Sequence, residues 1–340
     1  MAAACINPAV VAKIRATLAE TGGNVSETAR RLNICRGSVL KYKNVSQETE
    51  TGDTSGGYVA AENMTPRVQY DPRTVAFPEP APEAGGATMP EPVELTYEPF
   101  TIDTPGHWLK LMDVHIPYHD RRTVETAVKE ARGANIAGIM LNGDIMDCAG
   151  VSDHYRTPNV TRLEEEIDKT VQFLTWLRSQ FPHARIVYKE GNHEFRLPRY
   201  IANYAPELFG IKQLRLPALL ELAKFGIEWV DSKRVVKLGK LPILHGHEYR
   251  GGGGVAPARW LLLRTRTSAM AGHFHRADTH QWRDLDGKVH MAWTIGAACY
   301  LSPDYHPLND WVNGYAMTEV FGDGRYHVRP RVLLRDGTVA

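Results

Sequence analysis

The sequence predicts an α/β fold with a second sheet toward its carboxyl-terminal end, preceded by a small all-α unit and a linker. Three observations predict it. Strand-like and helix-like stretches alternate after residue 105, strands dominate from about 227 onward, and residues 46–100 show no apolar period. Strand–helix–strand alternation builds a sheet with parallel pairing, and sites in such folds gather at strand carboxyl ends.

In the amino-terminal part, "NPAVVAKIRATLAET" puts Val10, Ile14 and Leu18 at helical spacing. Gly22-Gly23 ends that helix, Ser26 is the expected N-cap of "ETARRL", and "NICRGSVLKYK" gives a tight connection and a third short helix. The expected core of this unit is Val10, Ile14, Leu32, Val39 and Leu40. Residues 46–100 hold eight prolines, and their two basic against ten acidic residues give a local charge of −8. Such a stretch buries too little apolar surface to offset its ordering entropy, so an acidic linker is expected over 46–104. From 105 to 335 a single larger domain is expected. "HWLKLMDV" reads as a strand, 121–133 as a helix, "IAGIMLNGD" as a strand, 162–178 as a helix and "ARIVYK" as a strand. "IEWV", "RVVKL", "LPILH", "KVHMAWTIG" and "YAMTEVFG" then suggest a second, more antiparallel sheet.

Composition narrows the function classes. At 340 residues, with 43% apolar and 23% charged residues, the chain has the profile of a globular protein. Its net charge of +1 hides a split, because residues 1–45 carry seven Lys/Arg against two acids, a local +5. No run of about eighteen apolar residues offers a membrane span. The four scattered cysteines (Cys5, Cys35, Cys148 and Cys299) form no CxxC pair, which fits neither a zinc finger nor a disulfide framework. A cytoplasmic location is expected.

One strand after another runs into metal-capable groups. "LMDVH" supplies Asp113 and His115, "LNGDIMD" Asp144 and Asp147, and "KEGNHE" Asn192, His193 and Glu194. "ILHGHE" supplies His245 and His247, and "AGHFH" His273 and His275. Alone, a D-x-H reads as a capping Asp beside a surface His, and a Gly-Asn as a common turn. Five such groups in order, each at a strand end, supply oxygen and imidazole ligands for two divalent metals. The mix suits Mn, Fe, Zn or Ni better than Ca or Mg.

The ordered series D-x-H, G-D-x-x-D, G-N-H-[DE], H, G-H-x-H resembles the calcineurin-like metallophosphoesterase superfamily over roughly residues 105–330. That resemblance implies a β-sandwich flanked by helices and a dinuclear metal centre, with Mn²⁺ the first expectation for the metal. It implies that Asp113, His115 and His275 bind one metal, that Asn192, His245 and His273 bind the other, and that Asp144 bridges them. His247 stands as the alternative to His245. Two metals would acidify a shared water for in-line attack on phosphorus. His193, beside a ligand, is the candidate general acid and Asp147 the group that orients it. Glu194 is expected to buttress the turn. Protein phosphatases of the superfamily follow G-D-x-x-D with Arg-Gly, whereas Cys148-Ala149 follow here. Arg196 and Arg199 could grip phosphate, although a solvated helix face is the plainer reading. The stretch through "RYIANYAPEL" and "DWVNGYAMTEV" looks like bacteriophage metallophosphoesterases, for which the location would be the host cytoplasm.

"GNVSETARRLNICRGSVLKYK" resembles a helix-turn-helix of the Fis or resolvase type. The resemblance implies that Arg36, Ser38, Lys41 and Lys43 face DNA, mainly its phosphates. A protein-interaction module is the alternative. The expected function is therefore a metal-dependent nucleic-acid phosphodiesterase or DNA end-processing phosphatase. The alternatives are a small-nucleotide phosphoesterase and a DNA-binding regulator with a vestigial metal centre. Oligomeric state is not legible.

Overall fold

The computed structural model describes residues 8–32, 34, 39–40, 89–92, 97–153, 160–249, 251, 254–304 and 306–340. The chain divides into two compact units, Met1–Glu91 and Pro92–Ala340. Most of the expected linker and the expected third helix, with Arg36, Ser38, Lys41 and Lys43, lie outside the described residues.

In the first unit, α1 (Pro8–Glu20) and α2 (Val25–Leu32) pack through Ile14, Leu18 and Ala29, and Val39 joins the same cluster. Gly22 and Gly23 end α1 in the left-handed region, at φ 61° and 82°. The expected cap of α2 is corrected: the Asn24 side chain, not Ser26, accepts from the amides of Ser26 and Glu27. Starting the helix two residues earlier, at Val25, puts Asn24 at the capping position, which its short side-chain carbonyl suits. Leu40 is also corrected, being 54% exposed rather than core, whereas its neighbour Val39 is fully buried.

The second unit holds two six-stranded sheets. The first has the order β12–β11–β2–β3–β4–β5, formed by β2 (Gly106–Leu111), β3 (Gly138–Asn142), β4 (Arg185–Lys189), β5 (Ile227–Val230), β11 (Asn313–Val320) and β12 (Tyr326–Leu333). Strands β2 to β5 run parallel, and β11 and β12 add antiparallel at the β2 edge. The other has the order β1–β6–β7–β8–β10–β9, formed by β1 (Phe100–Ile102), β6 (Val236–Leu238), β7 (Leu241–Leu244), β8 (Ala269–Ala271), β9 (Asp278–Arg283) and β10 (Val289–Thr294). This second sheet is mixed rather than mainly antiparallel, with β1–β6, β7–β8 and β8–β10 parallel. "IEWV" and "YAMTEV", expected in it, belong to the first sheet instead.

Side-chain alternation stacks the two sheets. Trp108, Met140, Val187 and Ala316 of the first meet Val236, Ile243, Met270 and Trp293 of the second in one apolar cluster. The outer face of the first sheet is covered by α3 (Arg121–Gly133) and α4 (Leu163–Gln180), through Val124, Val128, Phe173 and Leu174. The outer face of the second is covered by α7 (Pro257–Thr265), through Leu261 and Leu262. Between them in sequence lie two shorter helices, α5 (Arg196–Tyr204) and α6 (Leu216–Leu219). This is the β-sandwich flanked by helices that the sequence led us to expect. Among the described residues no helix is long and apolar enough to cross a membrane.

One residue works against this core. Lys110 of β2 is fully buried and no described group accepts a hydrogen bond from its Nζ. Burial holds its pKa well below the usual lysine value. Between that lowered value and the unfolded one of about 10.4 the unfolded chain binds a proton that the folded chain lacks, so stability falls as pH falls through that window and is reduced at neutral pH. We predict that Lys110→Met, which keeps the side-chain length, stabilises the protein by about 1–3 kcal/mol at pH 7. A urea midpoint lower than that of the wild type would show that Lys110 has a stabilising role instead.

Candidate metal centre

Three parallel neighbours of the first sheet and two of the second end at the same edge of the sandwich. The turn after β2 carries Asp113 and His115, that after β3 carries Asp144 and Asp147, and that after β4 carries Asn192, His193 and Glu194. The turns after β7 and β8 carry His245, His273 and His275. The turns are tied to one another as well as to their strands. The amides of Asp113 and His115 donate to the carbonyls of Gly143 and Asp144, at 3.1 and 2.9 Å, and that of Gly272 donates to the carbonyl of His245 at 2.8 Å.

The backbone there is strained in a pattern. Asp113, His115, Asp144, His273 and His275 all have φ between 50° and 68°, and only four other described non-glycine residues have positive φ. A left-handed non-glycine residue costs about 1–3 kcal/mol and persists where its surroundings over-determine it. In both the D-x-H and the H-x-H stretch the two left-handed residues flank a single residue of ordinary φ. Glu194 does much of the over-determining. Fully buried, its carboxylate accepts from the amides of Asp144, Ile145, Met146 and Gly191 at 2.7–3.2 Å and from the Tyr188 hydroxyl at 2.8 Å. Glu248, which the sequence did not single out, does the same for the fourth turn. It accepts from the amides of His245 and Gly246 and pairs at 3.1 Å with Lys189, which is itself buried.

The expected ligands converge on two places that share Asp144. In the first, His115 Nε2 lies 3.2 Å from His275 Nε2, and the latter lies 3.3 Å from Asp113 Oδ1. In the second, His245 Nε2 lies 3.2 Å from Asp144 Oδ2 and 3.1 Å from Asn192 Oδ1. Single donor atoms of Asp144, His245 and His273 all fall within 4.8 Å of one another, as do those of His115, Asp144 and His193. The His247 ring lies 5.3 Å from that of His245 and 6.3 Å from that of His273, with its Nδ1 3.8 Å from the Glu248 carboxylate. Cys299, absent from the expected set, sits 4.0 Å from His275 Nδ1 and forms a donor group with His115 and His275.

These groups fit divalent ions. Ligands at about 2.0–2.2 Å from a shared ion stand roughly 3.0–3.5 Å apart, the spacing seen between these donors. Glycine makes the necessary room: a Cβ on Gly191 would collide with Asp144 Oδ1, and one on Gly272 would lie 2.6 Å from Asp113 Oδ2. Charge agrees. Burial pushes the Asp144 carboxyl up, but His193 and His245 outweigh it and hold it well below the usual range. Burial disfavours charge on His245 too, yet Asp144 and Asp113 lift it to about 10. His115, likewise buried, is lifted to about 9 by its hydrogen bond to Asp147. The carboxylates thus hold positive charge in a buried place.

Beside the shared carboxylate stands His193. Its amide donates to Asp144 Oδ1 at 2.9 Å and its Nε2 lies 3.7 Å from Asp144 Oδ2. Asp147 Oδ1 is hydrogen-bonded to His115 Nδ1 at 2.7 Å and lies 3.0 Å from His193 Nδ1, which is hydrogen-bonded to the Asp147 backbone carbonyl at 2.8 Å, so one residue orients both rings. Arg196 is not on a solvated helix face. Its guanidinium donates to His193 Nε2 and to the Asp147 carbonyl, each at 2.9 Å. Because arginine only donates, the Nε2 of His193 accepts and its Nδ1 carries the proton toward Asp147. Arg199 pairs with Asp153 at 2.9 Å instead.

Residues 12–41 match the profile of a family described as bacterial regulatory protein, Fis family. No curated protein sequence matches the chain. Among solved structures, the chain is similar to Vps29 from Chaetomium thermophilum, with 12% identity over 69% of this chain and 95% of that one, at a TM-score of 0.38. It is similar to YfcE, a phosphoesterase from E. coli, with 13% identity over 68% and 96%, at a TM-score of 0.34. A dimetal phosphatase from Danio rerio gives 11% identity over 67% and 97%, at a TM-score of 0.33.

Proposed function

We propose that this chain is a phosphoesterase dependent on two divalent metal ions, acting on nucleic acid as a phosphodiesterase or as an end-processing phosphatase. The observation that carries the reading is Asp144, buried between two sets of donors with His193 over the same carboxylate. Asp113, His115 and His275 would hold one ion and Asn192, His245 and His273 the other, with Asp144 between them and Mn²⁺ the first metal to try. Two ions there would supply Lewis acidity, making a water nucleophilic near neutral pH and neutralising phosphoryl oxygens.

The chain's own groups do the rest. Buried carboxylates fix the turns, so the donors need no reorganisation when substrate arrives. Asp147 orients His193 through Nδ1, leaving Nε2 for the leaving group. To act as the acid, Nε2 must be released by Arg196 and take up a proton from solvent. As the in-line water oxygen bonds to phosphorus and its proton passes to solvent, the bond to the leaving alkoxide breaks, and that oxygen takes the proton from Nε2. Glu194 has no part in proton transfer on this reading, since five donors occupy its oxygens.

The nucleic-acid part rests on the Fis-type match over 12–41 and the local charge of +5. A DNA-binding headpiece over 1–45, joined by a linker over 46–104 to a catalytic domain over 105–335, would raise the enzyme's effective concentration near its substrate. The decisive assay compares single- and double-stranded DNA, bis-p-nitrophenyl phosphate and p-nitrophenyl phosphate, with purified protein and Mn²⁺. Hydrolysis of DNA and of the diester is expected, and activity confined to small nucleotides would replace the substrate class. Deleting residues 1–45 should leave hydrolysis of small diesters unchanged and weaken DNA binding. If three or four phosphates are contacted, the slope of log K against log salt should fall by about 3 units, at roughly 0.9 per phosphate. Substituting Arg36, Lys41 and Lys43 together by Ala should do the same. Equal DNA binding by truncated and full-length protein across salt would make the headpiece an interaction module.

A further inference from the structure

Among the described arginines beside the turns of the site, Arg196 forms no ion pair. Arg199 and Arg276 are each paired with an aspartate, Asp153 and Asp310, at 2.9 and 3.0 Å. Arg196, half-buried at the first position of α5, instead gives its two hydrogen bonds to neutral acceptors, an imidazole nitrogen and a backbone carbonyl. Among the described residues no carboxylate forms an ion pair with it. Its position is firmly set: the Arg196 amide donates to the His193 carbonyl at 3.0 Å, and the next residue, Leu197, is buried in the main core. A partly desolvated guanidinium held without a counter-charge is stabilised strongly by an anion brought beside it.

Resting on the phosphoesterase reading, we infer that Arg196 is the substrate-binding residue of this site. Its guanidinium grips a non-bridging oxygen of the phosphoryl group. In the free enzyme it rests on His193 Nε2, and when substrate arrives it exchanges that neutral acceptor for the anionic oxygen. Hydrogen bonds to an ionised acceptor are roughly twice as strong as those to a neutral one, which drives the exchange. The planar fork suits two phosphoryl oxygens at once, a geometry that lysine cannot match. The exchange also uncovers Nε2 and frees it to take up the proton that the leaving oxygen needs. His193 therefore faces the scissile bond only when a phosphoryl group is in place, and no further conformational change is required.

The test uses the full chain loaded with Mn²⁺, the variants Arg196→Gln and Arg196→Lys, and inorganic phosphate as the probe. Phosphate binding is followed by calorimetry and by inhibition of bis-p-nitrophenyl phosphate hydrolysis. Arg196→Gln should weaken phosphate binding and raise KM by about 10–100-fold, since a hydrogen bond to a charged group is worth about 1.5–3 kcal/mol. Its metal content and thermal midpoint should be unchanged. Arg196→Lys, keeping charge without the fork, should recover part of the binding. If Arg196→Gln binds phosphate like the wild type, or loses only kcat together with bound metal, the inference is overturned and the residue is structural. A wild type that binds phosphate in an Arg196-dependent way but hydrolyses none of the esters sinks the phosphoesterase reading alone.

Discussion

Asp144→Asn should abolish turnover while leaving the fold intact. Asparagine is among the few residues that tolerate the left-handed backbone found here, φ 52°, so the substitution adds no strain. The side-chain oxygen that accepts from the His193 amide at 2.9 Å can be kept, and with it the turn. What changes is the other atom. Asp144 Oδ2 stands 3.2 Å from His245 Nε2 and 4.0 Å from His115 Nε2, and in the variant an NH₂ group takes its place. A neutral amide turning hydrogens toward the two donor sets can neither bind nor balance a pair of dications. Losing several kcal/mol of charge stabilisation corresponds to a fall of about 10³-fold or more in kcat. Bound metal should fall in the same preparation, measured by elemental analysis beside a circular-dichroism melt. Retention of both metal and activity would rule out a bridging carboxylate at this position.

His193→Ala is expected to separate chemistry from metal binding. The ring lies within 4.8 Å of donor atoms of His115 and Asp144 but belongs to neither proposed ligand set, and the backbone amide that holds Asp144 survives the change. Metal content should therefore be unchanged. Esters with alkoxide leaving groups, DNA among them, should slow by about 10²–10⁴-fold, the usual worth of general acid catalysis. p-Nitrophenyl esters should slow far less, because nitrophenolate departs without a proton. The Asp147 carboxylate lies 3.0 Å from the wild-type Nδ1, whose hydrogen bond to the Asp147 carbonyl survives substitution. Asp147→Asn, which removes only the charge that favours a protonated ring, should therefore give a smaller loss with the same leaving-group dependence. Equal losses on both ester types would remove His193 from the acid role.

Much of this was legible in the sequence because the signals are local. Each expected ligand follows its strand by a few residues, so an apolar run followed by Asp, Asn or His gives both the strand and the residue that it delivers. Helices α3 and α4 were legible for the same reason, their apolar faces repeating at 3.6 residues. Sheet membership was not. "YAMTEV" looks like any late strand, and its place beside β2 depends on pairing with residues some 200 positions earlier, Met317 with Leu109 for example. The same holds for Lys189 and Glu248, whose pairing across 59 positions fixes the fourth turn and leaves no local pattern. Asn24 and Ser26 are both good caps, and only the first turn of the helix decides between them. Arg196 was misread because helical spacing gives the direction of a side chain's root. It does not give the reach of a guanidinium that folds back three residues to His193.

The central claim is that two divalent ions share Asp144. Its most direct test is a calorimetric titration of Mn²⁺ into chelator-treated, full-length protein. The account predicts two ions per wild-type chain, with a reduced stoichiometry in Asp144→Asn. A wild-type chain that binds one ion or none, or a variant that still binds two, would contradict it.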